Sequence, residues 1–205
     1  MTTDQFISPA RLEAFSDGVM AILVTVMVFD LKWAEVPTAE SIGADTVKLL
    51  PKFLSYALSF AMLGVMWISH HRLFHQVRHV DGALLWYNIH LLFWMSLVPF
   101  ATGFLGSAPM LWHASFGYGA VFFLCALSFS LLRGHVHRKK LLHHHIALGG
   151  HGFAQRKNGL AMALYLCSMA VAPFWVYGSF FLFASVPILY IFPEKIVHLK
   201  KTVQE

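Results

Sequence analysis

Three sets of side chains in this sequence could hold an ion or do chemistry. The first is Arg11, Ser16 and Asp17, in a polar cluster opening the apolar run RLEAFSDGVMAILVTVMVFDLKW from Arg11 to Trp33, with Thr25 the single hydroxyl farther along it. An aspartate in a lipid-embedded helix costs about 2.5–3.5 kcal/mol at the centre and less near an end, so Asp17 is expected to face protein and meet a donor. Trp67, His70, His71 and Asn88 are the candidate donors. The second set is the histidines, 13 in all, with His70, His71 and His75 in one group and His135, His137, His143, His144, His145 and His151 within residues 133–158. A histidine-ligated membrane metalloenzyme would need such rings converging in fixed geometry with acceptors to orient them. Residues 133–158 carry six bases and no carboxylate, which repel a cation. The third set, Cys125 and Cys167, lies in apolar stretches and suits neither a disulfide framework nor a metal knuckle. With no serine–base arrangement and no phosphate-binding glycine loop, the expectation is no enzyme, no catalytic residue, no metal and no cofactor.

The elements that must position these residues follow from where charge is absent. The chain has 205 residues, of which 58% are hydrophobic and 12% charged, against about 25% charged in soluble domains. No Asp, Glu, Lys or Arg falls between Asp81 and Arg133, or between Lys157 and Glu194. At about 20 apolar residues per crossing, these gaps hold two spans each, and two more precede them. The expected fold is an all-α integral membrane protein, one domain over residues 1–205. Its six spans fall near 9–33, 52–70, 83–105, 112–132, 159–175 and 177–192, with a basic, histidine-rich cytoplasmic loop at 133–158. Ser8 and Pro9 read as the cap and first residue of the first helix.

The net charge of +5 reports topology and not a nucleic-acid partner. With the amino terminus inside, only Lys32, Lys48 and Lys52 face out. This is the positive-inside bias, and it places both termini in the cytoplasm of a multi-pass cell-membrane protein. The loop is expected to be a solvated basic surface that could contact anionic headgroups of the bilayer. The first segment contains Asp17 and no basic leader, so it is not read as a cleaved signal.

At helical period, Gly18, Ile22, Thr25, Val26 and Phe29 share one stripe of the first helix, and Ser16 and Asp17 point to other faces. Three readings of that stripe stay open: a lipid face, a packing seam, or the wall of a pathway. Helices two to six lack the mid-membrane acid common in proton- or sodium-coupled transporters, and no carbonyl filter sequence is present.

The first helix, RLEAFSDGVMAILVTVMVFDL, resembles the R-x-x-x-F-S-D signature helix of the transmembrane protein 175 potassium channels, which are lysosomal in animals and also occur in bacteria and archaea. The resemblance extends to WISHHRLF at Trp67–Phe74 and NIHLLFWMSLVPFAT at Asn88–Thr102, so it covers the first three helices closely. It identifies the chain as similar to the prokaryotic members, and it implies a homotetramer whose first helices line a central pore. By the same resemblance Ile22 is the narrowest hydrophobic constriction or gate, Val26 and Phe29 form further rings, and Thr25 supplies the hydroxyl layer for potassium preference. Phe29 departs from the aliphatic residue usual there. Arg11, Phe15, Ser16 and Asp17, with Trp67, His70, His71 and Asn88, form the signature network holding the first helix in place. The implied function is a potassium-preferring cation leak channel passing monovalent cations passively. A proton-permeable channel of the same architecture is the first alternative and the histidine-ligated metalloenzyme the second.

Overall fold

The computed structural model describes residues 8–33, 36, 38–142 and 149–191. Apart from one isolated β-bridge, Val77 to Leu142, their regular structure is helical. Helix α1 runs Pro9–Val26 and tightens into a 3₁₀ turn, Met27–Asp30; α2 is Ile42–Phe74, α3 Gly82–Ser96, α4 Val98–Ser107, α5 Trp112–Arg138, α6 Gly149–Val171 and α7 Val176–Ile191. Among the described residues, four stretches are long and apolar enough to cross a membrane: Pro9–Asp30, Ile42–Phe74, Gly82–Ser107 and Trp112–Arg138, with a shorter apolar helix at Val176–Tyr190. Counting α3 and α4 as one interrupted rod, the described residues of this integral membrane protein form six rods.

Several boundaries differ from expectation, each for a local reason. Ser8 caps α1, its hydroxyl accepting the Arg11 amide at 3.4 Å, with Pro9 in the first turn, but the α geometry ends at Val26, short of residue 33. Helix α2 starts ten residues before the expected 52, because Pro51 lies inside the helix and does not stop it. A proline forfeits its own bond to the residue four back, and the turns on either side survive. The third span breaks at Leu97, two residues before Pro99, which cannot donate to Met95. The described part of residues 133–158 is mostly helical where a loop was expected: α5 continues to Arg138 and α6 begins at Gly149. Nor is that stretch uniformly solvated. Arg133 and Lys157 are buried, with the Arg133 guanidinium 4.9 Å from the Phe129 ring centre and the Lys157 ammonium 5.0 Å from that of Phe153. His143, His144 and His145 lie outside the described residues.

The core is organised around α5, of whose membrane window 50% is buried, against 28% for α1; Tyr118, Phe122, Cys125 and Leu132 of α5 are fully enclosed. At mid-bundle, hydroxyls join three rods: Thr102 donates to Ser59 at 2.7 Å, and Ser59 meets the Tyr118 hydroxyl at 2.9 Å. Thr102 also lies 3.7 Å from the sulfur of Met27, at the base of the 3₁₀ turn. At the other end, the Arg78 amide donates to Leu141 at 2.7 Å. Asp81 caps α3 through the Leu84 amide at 2.7 Å and receives both contacts of the His135 ring, at 2.9 and 3.0 Å. These bonds tie the start of α3 to the end of α5.

Candidate functional site

Helix α1 has two faces with different fates. Leu12, Ser16, Met20, Leu23 and Met27 recur at three- and four-residue steps and are buried, as an amphipathic stripe facing a core should be. The opposite stripe is open: Ile22 is 61% exposed, Phe29 65% and Val26 40%, and Gly18 and Thr25 share it. Among the described residues of a single chain, nothing covers this stripe. Arg11 and Phe15, grouped with the signature network on sequence grounds, lie on this exposed side instead. The steps 11, 15, 18, 22 keep them above Ile22 on one face. Arg11 makes no side-chain bond among the described residues.

Thr25 carries the chemistry of that stripe. Its hydroxyl donates back to the carbonyls of Ala21 and Ile22, at 3.1 and 3.0 Å. The one hydrogen of the group is thereby committed to the helix, and the oxygen's lone pairs are left facing outward. An outward lone pair is a ligand for a cation.

Behind α1 lies a buried hydrogen-bonded chain. Ser16 donates to the Leu12 carbonyl at 2.9 Å and accepts from the Asn88 amide nitrogen at 2.9 Å. The Asn88 oxygen therefore faces His70, whose Nε2 lies 2.9 Å away and must carry the hydrogen. Ser16, His70 and Asn88 are all fully enclosed, and the His70 ring stacks on Phe74 at 4.2 Å. Of the candidate donors for Asp17, it is Trp67 that reaches it, indole nitrogen to Oδ1 at 2.9 Å. His71 turns to Glu13, with 2.8 Å between Nδ1 and Oε1, and stacks on Trp67 at 5.8 Å. Thus α2 and α3 grip α1 through its polar first half and leave its apolar stripe free. Glu13, Ser59, Thr102, Tyr118 and Asp81 were not singled out from sequence, and His135 only as one of the histidines of residues 133–158. The pairing of an N-capping Asp81 with a basic helix end was the one signal that could have found the last of these links.

The electrostatics outside the membrane segments are simple. Burial opposes ionisation of Asp81, but the Leu84 amide, His135 and Lys139 outweigh it and hold its carboxyl below the ordinary value.

The family described as "Endosomal/lysosomal potassium channel TMEM175" matches residues 11–99. A protein named "Potassium channel HX13_20290", from Chryseobacterium sp. (strain P1-3), is 34% identical over 195 residues, covering 95% of this chain and 97% of its own. The rat protein named "Endosomal/lysosomal proton channel TMEM175" is 30% identical across 94% of this chain, which spans 39% of that longer protein. The crystal structure of a lysosomal potassium-selective channel TMEM175 homolog from Chamaesiphon minutus superimposes with a TM-score of 0.76 at 29% identity, over 89% of this chain and 96% of that one.

Proposed function

This chain belongs to the TMEM175 family, and on that premise we propose that four copies surround a potassium-conducting pore lined by α1. The observation carrying the proposal is the open stripe of α1, apolar at Ile22, Val26 and Phe29 and interrupted by an outward hydroxyl oxygen at Thr25. A single stripe cannot enclose water; a symmetric ring of them can, and closed rotational symmetry is how soluble and membrane oligomers commonly bury such a face. Ile22 rings form the dewetting constriction, shut when narrow and conducting when wider. Four Thr25 oxygens replace part of the potassium hydration shell beside it. Val26 and Phe29 continue the wall, the phenylalanine narrowing the outer mouth. The protein sits in the cell membrane as a single domain with both termini in the cytoplasm. It performs no covalent chemistry, holds no catalytic cofactor, and takes potassium as its permeant ion.

Potassium-driven flux into liposomes tests this. Ile22→Asn keeps the constriction wet and is expected to raise flux tenfold or more, about 1.4 kcal/mol of barrier. Thr25→Val keeps the shape, removes the oxygen and is expected to lower the potassium-to-sodium permeability ratio. Unchanged flux from the first variant removes Ile22 as the gate, and an unchanged ratio from the second retires the hydroxyl layer. The proton channel named among the relatives supports a second reading, proton permeation through the same pore. A pH-sensitive dye in the same liposomes separates the two.

A further inference from the structure

The polar half of α1 contains a cluster that the conduction reading leaves unused. Glu13 and Asp17 stand one turn apart on α1, and His71 comes from the last turn of α2. One ligand atom from each of the three lies within 4.8 Å of the others. The expectation of no metal rested on the lack of carboxylates in residues 133–158; here α1 supplies them. We propose that Glu13, Asp17 and His71 form a three-ligand site for a divalent transition-metal ion, zinc foremost, that clamps α1 to α2.

Three observations carry this beyond a chance gathering of charge. Oxygen Oε1 of Glu13 is shut off from solvent and accepts no hydrogen bond, although the His71 Nδ1 stands only 2.8 Å away. The two atoms stand at ion-pair distance without forming a hydrogen bond. Among the described residues Asp17 is held by Trp67 through Oδ1, which leaves Oδ2 to ligate. Trp67 also stacks on His71, so one indole orients two of the three ligands, as the groups around a metal's ligands commonly do. Zinc bonds to imidazole and carboxylate at about 2.0–2.2 Å, which sets tetrahedral donors about 3.4 Å apart. One separation here is 2.8 Å and all lie within 4.8 Å, and His71, half exposed, can swing to open the shortest. Two carboxylates neutralise the ion, the imidazole selects against magnesium and calcium, and a fourth position stays open to water. Since the three ligands span α1 and α2, a bound ion would fix the angle of α1, and with it the width of the ring at Ile22.

The binding half of this inference stands without the pore reading; the effect on flux rests on it. Purified protein in which His143, His144 and His145 are changed to alanine removes the easiest adventitious site. After chelation and dialysis against micromolar zinc, it is expected to retain one zinc per subunit. X-ray absorption on that sample should show one imidazole with oxygen donors. Glu13→Gln or His71→Gln in the same background should weaken binding by at least about a hundredfold, and Trp67→Phe, which spares every ligand, by about ten- to a hundredfold. No retained zinc, several imidazoles per zinc, or equal binding in the Gln variants overturns the site. Zinc bound as expected with potassium flux unaltered overturns the clamp. Absent flux in zinc-free protein counts against conduction and leaves the binding result to decide the site.

Discussion

Replacing Asn88 by alanine removes the residue that joins α1, α2 and α3. The change deletes two bonds, Asn88 to Ser16 and His70 to Asn88, each 2.9 Å long and wholly enclosed. Interhelical hydrogen bonds in membranes average about 0.6 kcal/mol and reach about 1.7, so the pair contributes about 1–3 kcal/mol. His70 then loses its last partner, since its Nδ1 already has none. A buried polar group so abandoned adds about 1–3 kcal/mol. Part of this overlaps with the bond loss, and the expected destabilisation is about 2–4 kcal/mol. Because alanine also removes packing volume, the single variant does not isolate the polar contribution. A double-mutant cycle with Ser16→Ala does. Equilibrium unfolding in mixed micelles at increasing sodium dodecyl sulfate, followed by tryptophan fluorescence, should give a coupling of about 0.5–1.7 kcal/mol. The single Ser16→Ala should cost less, since that side chain's own donation is to the local Leu12 carbonyl. Strict additivity, with coupling near zero, would refute the claim that this chain of bonds fastens α1.

Two further predictions rest on other contacts. A methyl group at Gly106 would come within 2.8 Å of the Lys52 backbone, so Gly106→Ala must push α4 from α2 at about 1–3 kcal/mol, measurable in the same unfolding assay; wild-type stability would show that the helices are not so closely seated. Asp81, whose carboxyl is held below the ordinary value, contributes stability that is full above about pH 4, the unfolded carboxylate range, and is lost as pH falls through its folded value. Asp81→Asn should therefore be less stable than the wild type at pH 7 and converge with it towards pH 3; a constant gap across that range would contradict the linkage.

How much of this was legible in the sequence depends on whether the cause was local. The α1 stripe follows from helical period alone, and a serine, an aspartate, a histidine and an asparagine amid apolar residues had to find partners. The structure brings Ser16, His70 and Asn88 into one chain and Asp17 to Trp67. Neighbours in sequence misled where the helix parts them: Arg11 and Phe15 belong to the signature string, yet 100° per residue carries them to the open face. Glu13 was passed over because the group it meets, His71, is 58 positions away. Pro51 looked like a boundary, since a sequence shows the missing donor but not the turns continuing past it. The joining of Ser59, Thr102 and Tyr118 was invisible for a related reason: hydroxyls in apolar helices are common, and only packing decides which of them meet.

The threonine at position 25 has one more consequence. With its hydrogen turned back into its own helix, a fourfold ring of these groups would offer electron density and no protons to whatever arrives. Chloride would find nothing there to grasp, so the ring would exclude anions without any fixed negative charge. It would also orient neighbouring water with hydrogens toward the wall, and a file of water pinned in that way would break the handover on which hydrogen-ion hopping depends.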